Sequence, residues 1–134
     1  MIKNKSLIEE LYTDSGGFNA ERAVSILKAL NISVQRGEHT VFFKKDLALK
    51  AEDKILAFSL IKKLLKSEGV VDSSSVSGKD IKTQTELKAG TVDATMKKLR
   101  QDGLLVGSGS SYDIPAHQVE TVVERLEKYI PKDK

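Results

Sequence analysis

The stretch from Lys54 to Leu65 constrains the fold more than any other part of the chain. Wound at about 100° per residue, Leu56, Ala57, Phe58, Leu60, Ile61, Leu64 and Leu65 cover an arc of roughly 200°. Lys62, Lys63 and Lys66 fill the remainder, with Ile55 as the one apolar exception. A helix lying on a protein surface hides an arc about half as wide. The pattern therefore predicts a helix packed on two sides at once, tying the N-terminal and C-terminal portions of the chain into one body. Apolar residues make up 40% of the 134 and charged residues 31%, which is enough apolar material for such a body. Aromatics are 5% and Trp is absent, so the core must be mainly aliphatic.

Composition also removes several kinds of chemistry. The chain has no Cys, which excludes disulfides, thiol catalysis and Cys-ligated zinc. His39 and His117 lie far apart and belong to no metal-ligand motif. Gly107-Ser108-Gly109-Ser110 lacks the Lys-Ser/Thr ending of a phosphate-binding loop and reads as a turn, as does Asp14-Ser15-Gly16-Gly17. No nucleophile–base arrangement is legible, so the expectation is a protein that is not an enzyme and needs no cofactor. No apolar run approaches the roughly 20 residues of a membrane span, and Met1-Ile2-Lys3-Asn4 lacks a signal-peptide core. A cytoplasmic protein is expected.

Along the first 50 residues, Ser6–Tyr12 reads as a short helix with Leu7, Ile8 and Leu11 on one side. Asn19 suits the cap of a second helix, whose Ala23, Ile26, Leu27 and Leu30 form a stripe with Val24 at its edge. Ile32 to Phe43 alternates and is β-prone around Arg36-Gly37-Glu38, which predicts a hairpin. Leu47, Ala48 and Leu49 begin another short helix. Ser73 to Gly78 is the clearest loop, short enough to connect helices within one domain.

From Gly78 onward the pattern becomes specific. Lys79–Leu87 reads as a short helix with Ile81 and Thr85 inward, Lys88-Ala89-Gly90 as a tight turn, and Thr91–Gln101 as a second helix ended by Gly103. Leu104-Leu105-Val106 and Tyr112-Asp113-Ile114 are strands about the Gly107–Ser110 turn, and Pro115 opens a last helix striped by Val119, Val122, Val123, Leu126 and Ile130. Helix, turn, helix, hairpin resembles a winged helix-turn-helix. Asp80 to Val92 is similar to the first helix and turn of that motif, and Thr91 to Leu105 to its recognition helix entering the wing. Leu99, Gly103 and Leu104 most resemble the small prokaryotic and archaeal regulators. The resemblance covers about residues 52–129. It implies a mostly α fold with small β (α+β), organised as an N-terminal helix–helix–hairpin extension at 1–50 and a winged domain with its C-terminal helix at 51–134.

On a wheel starting at Thr91, Val92, Met96 and Leu99 fall at roughly 80–140°, a buried stripe, while Asp93, Lys97, Gln101, Ala94 and Lys98 occupy about 200–340°. In a winged helix that second face enters the major groove of duplex DNA, where Lys and Gln can address base edges and Lys a phosphate. The resemblance thus implies DNA contacts at Thr91, Ala94, Lys97, Lys98 and Gln101, with Ser108 and Ser110 at the wing tip. Asp93 stands against this, since it repels phosphate unless it accepts from a cytosine amino group or caps its own helix. The wing carries no Lys or Arg. The net charge of +3 is small, with zero over residues 1–43, +2 over 44–78, +1 over 79–114 and zero over 115–134. The expected function is a DNA-binding transcriptional regulator. The alternative is a winged-helix protein–protein module without DNA binding, engaging a partner through the N-terminal segment or the last helix. A homodimer is expected because symmetric operators have two half-sites.

Overall fold

The computed structural model describes residues 20–35, 40–43, 49–71, 73–108 and 111–130. In chain order it contains helix α1 (Ala20–Ala29), the short strands β1 (Ser33–Val34) and β2 (Val41–Phe42), and helices α2 (Ala51–Ser67), α3 (Gly78–Thr85) and α4 (Ala89–Gln101). Strands β3 (Val106–Ser108) and β4 (Ser111–Asp113), a 3-10 turn at Ala116–Gln118 and helix α5 (Val119–Glu127) complete the order. The architecture is α+β, with two separate antiparallel hairpins set among the helices.

Helix α2 is the axle of this arrangement. Helices α3, α4 and α5 all pack against it. Ile55, Leu56, Ala57, Phe58, Leu60, Ile61 and Leu64 are buried, and so are Asp53, Ser59 and Lys63. Ile55, fully buried, is thus no exception to the apolar face, because the helix is enclosed on more than the two expected sides. Leu65 is only partly buried. Lys63 reaches the hidden side because its ammonium finds the Asp113 carboxylate on β4 at 3.3 Å.

The described part of the first 50 residues shares this core. Ala23, Ile26, Leu27, Leu30, Ile32 and Val41 belong to the same buried cluster as the α2, α4 and α5 residues. Helix α1 packs on α5, and Arg22 bonds Glu120 and Glu127 across that seam at 2.9 and 2.7 Å. The first hairpin pairs Ser33 with Phe42 and Val34 with Val41. Ile32 and Val41 turn inward while Phe42 is half exposed. The Val41 N–H donates to Gln84 Oε1 at 2.9 Å, fastening the hairpin to α3. The predicted Ser6–Tyr12 helix, the Asp14–Gly17 turn, the Asn19 cap, the Arg36–Glu38 turn, and Leu47 and Ala48 lie outside the described residues.

Helix α3 begins where the Ser77 hydroxyl accepts from the Asp80 N–H at 3.0 Å, a cap worth about 1 kcal/mol. Ile81 and Thr85 face inward as their spacing predicts. The helix ends at Glu86, whose φ of 60° reverses the chain. This displaces the expected turn. It falls at Glu86–Lys88 rather than Lys88–Gly90, so α4 opens at Ala89 rather than Thr91, which becomes its third residue. Val92, Met96 and Leu99 form the buried stripe, and Gly103 at φ 78° ends the helix.

The second hairpin also differs in register from the sequence pattern. Leu104 and Leu105 are buried residues leading into it, and β3 starts at Val106. Val106 pairs with Asp113, Gly107 with Tyr112 and Ser108 with Ser111, so Gly107 lies in the strand and not in the turn. The Ser73–Gly78 connection is more than a loop. Val76 and Tyr112 exchange two N–H···O bonds of 2.7 Å, laying a third stretch of backbone along the hairpin. Ser74 donates to the second Asp113 oxygen at 2.7 Å. Pro115 precedes the 3-10 turn, its carbonyl accepting from the Gln118 N–H at 2.8 Å. In α5, Val119, Val122, Val123 and Leu126 are all buried within the chain, so that stripe is taken up by intrachain packing.

Candidate functional site

The outward side of α4 is set by its inward side. Burying Val92, Met96 and Leu99 against α2 and α3 leaves Thr91, Ala94, Lys97 and Gln101 exposed. Lys98 is exposed as well, but its ammonium bonds the Glu52 carboxylate at the start of α2. Glu52 also accepts from Arg125 Nη2 at 2.7 Å, and Arg125 Nε donates to buried Asp53 at 2.9 Å. The Tyr129 hydroxyl donates to the other Asp53 oxygen. This network joins three helices. The bonds from Lys98 and then Arg125 hold the Glu52 carboxyl below its ordinary pKa, against the opposing effect of burial. Lys98 is raised chiefly by its bond to Glu52, and Tyr129 is raised by burial and then by Asp53. Lys98 is therefore placed as a tie between α4 and α2. Ser108 contributes its backbone to β3, and Ser110 lies outside the described residues.

Beside the exposed face lies a cleft of about 610 Å³ between α3, α4 and β4. Gly78, Lys79 and Lys82 line it from α3, Val92, Asp93, Met96, Lys97 and Arg100 from α4, and Tyr112 from β4. Four cations and one carboxylate thus share the described lining. Asp93 is 75% exposed at its side chain and stands 3.8 Å from the Lys82 ammonium. Gly78 and Lys79 belong to the first turn of α3, which also carries Asp80, whose N–H is taken by Ser77. Val92, Met96 and Tyr112 add apolar surface to the lining. The described lining thus carries more cationic than anionic side chains.

Of the residues the sequence pattern singled out, the cleft takes in Lys97. Thr91, Ala94 and Gln101 lie on the neighbouring surface of α4 outside it. Lys79, Lys82, Arg100 and Tyr112 were not singled out as contacts. Arg100 falls at about 180° on the wheel, just beyond the face taken as free. Lys79 and Lys82, three apart on one side of α3, carry the signal that could have found them.

Among the described residues, no group of three or more His, Cys, Asp or Glu is placed to hold a metal ion. Nor is any helix there long and apolar enough to cross a membrane. No family model matches the chain, and neither do the curated proteins or the solved structures compared with it.

Proposed function

We propose that the chain is a winged-helix protein that binds duplex DNA, acting as a transcriptional regulator rather than an enzyme. In this reading α2, α3 and α4 are the three-helix body, α4 is the recognition helix and β3–β4 the wing. The observation that carries it is the cleft lined by Lys79, Lys82, Lys97 and Arg100, with Asp93 as its one carboxylate among the described lining residues, beside the exposed flank of α4. Phosphate contacts from the four cations would orient the duplex, and Ala94 and Gln101 would meet base edges. The bare hairpin is consistent with a wing that touches backbone without adding charge.

The test is anisotropy of a labelled duplex titrated at several salt concentrations. Four neutralised phosphates give a slope of log K against log salt of about −3.6. Affinity should then fall roughly 150-fold between about 50 and 200 mM salt. Lys97→Ala and Arg100→Ala should each make the slope shallower by about 0.9. No binding at low salt would refute the reading.

One observation favours a second reading, a protein-interaction module. Val24, Leu27, Ile32, Val34, Ile61, Leu64 and Leu65 line an apolar cleft of about 260 Å³ between α1, β1 and the end of α2. Val24 and Val34 are 44% and 36% exposed there. With the α5 stripe buried, this cleft is also where a homodimer would pair. Sedimentation of the chain should show a dimer, and Val24→Glu should return it to monomer.

A further inference from the structure

The apolar cleft beside α1 does not end at Val24. A second hollow of about 410 Å³ runs from Ala20, the first residue of α1, past Val24 and Lys28 to Leu64 and Glu68 on the α2 side. Val24, Lys28, Leu64 and Glu68 also line the cleft of about 260 Å³ that reaches β1. The two hollows therefore form one trough between α1 and the end of α2. Val24 is 44% exposed along it, and Leu65 is only partly buried.

The chain enters α1 through Ala20, so residues 1–19 are tethered at one end of this trough. They carry an apolar stripe of their own. Leu7, Leu11 and Ile8 fall at about 0°, 40° and 100° on a helical wheel, while Lys5, Glu9 and Glu10 fall outside that arc. A helix this short does not hold in water without a surface to pack on. An amphipathic segment laid in an apolar groove answers that need.

Independently of DNA binding, we infer that the N-terminal segment occupies the trough of its own chain, setting Leu7, Ile8 and Leu11 against Val24 and Leu65. Its reach is sufficient. The nine steps from Leu11 to Ala20 span at most about 30 Å, and α1 rises only about 12 Å from Ala20 to Lys28. Gly16 and Gly17 lie between and let the chain double back. A second copy competes for the same surface. A short tether, however, sets an effective concentration in the millimolar range, far above that of micromolar protein in free solution. The segment therefore takes the trough and keeps the chain monomeric, in place of the dimer of the second reading.

Methyl NMR and sedimentation of the full chain test this. The native chain should be a monomer, with contacts between the methyls of Leu7, Ile8 or Leu11 and those of Val24 or Leu65. Leu11→Asp and Val24→Glu should each abolish these contacts, after circular dichroism and melting confirm that both variants stay folded. Leu11→Asp should also raise the binding of a hydrophobic dye several-fold by baring the trough. Unchanged dye binding in Leu11→Asp would overturn the inference. So would a native monomer lacking the contacts, which leaves the trough to a partner protein. A native dimer that Val24→Glu dissociates would overturn it as well, and would make the second copy the occupant.

Discussion

Gly107 is the strand position whose backbone most constrains the second hairpin. Its φ is 118°, a region that residues with a Cβ rarely enter. A Cβ built there would overlap the Ser111 carbonyl oxygen and stand 3.0 Å from its carbon and 3.1 Å from Tyr112 Cα. All three are backbone atoms of the paired strand and cannot step aside without opening β3–β4. Gly103 is the natural control. Its φ is 78°, but the nearest atom to an added Cβ is the flexible Gln118 Nε2 at 3.7 Å, an ordinary contact. Gly103→Ala should cost about 1–2 kcal/mol from backbone conformation. The lower entropy of the unfolded alanine chain offsets ~0.4–1 kcal/mol of that. Gly107→Ala carries a strain of about 1–3 kcal/mol and an overpacking cost of about 1–3 kcal/mol. The net loss is then about 1–6 kcal/mol after the same offset. Urea unfolding followed by circular dichroism measures both variants. Amide exchange at Val76 and Tyr112, whose mutual bonds are 2.7 Å, reports whether the hairpin itself has come away. Equal losses for the two variants, with Val76 and Tyr112 still protected in Gly107→Ala, would refute this account of the hairpin.

Three further outcomes are expected. Ser59 is fully buried in α2 and its hydroxyl has no hydrogen-bond partner among the described residues. Ser59→Ala removes a stranded polar group and improves helix propensity, so it should raise stability by about 0.5–2 kcal/mol in urea unfolding; a loss would mean the hydroxyl is satisfied. Glu52 has its folded pKa depressed by Lys98 and Arg125, so its contribution is present above its unfolded pKa and is lost as pH falls through the folded one. The stability gap between the native chain and Glu52→Gln should therefore shrink on acidification from about pH 7 to pH 3, and a constant gap would contradict the ion pairs. Tyr129 has its folded pKa raised by burial and by Asp53, so its contribution holds below the unfolded pKa and is lost as pH rises through the folded one. One tyrosine should ionise later than free tyrosine in an alkaline absorbance titration, and that late component should vanish in Tyr129→Phe.

Much of the helical plan was legible one segment at a time. Ala23, Ile26, Leu27 and Leu30, then Ile81 and Thr85, then Val92, Met96 and Leu99, are all buried. Each set recurs at helical spacing, and such a period needs no knowledge of the partner that covers it. Gly103 stops α4 in a left-handed conformation, as a glycine there should. Local turn chemistry served less well. Glu86, not the Lys88-Ala89-Gly90 stretch, reverses the chain, because tertiary packing of α3 on α2 outweighs a residue's mild preference. The Val76–Tyr112 bridge was invisible in a serine-rich stretch that has no strand pattern of its own.

The linear order of residues, then, settles which stripes must leave water, because hydrophobic spacing is a property of neighbours a few positions apart. It does not settle which charges meet. Lys98 and Lys97 are adjacent and chemically alike, yet one bonds Glu52 and the other lines the cleft with Lys79 and Lys82. That division depends on a 100° step around α4 and on what α2 and α3 set against each side. Pairing between charges distant in the chain is decided by packing geometry, and only the folded molecule holds it.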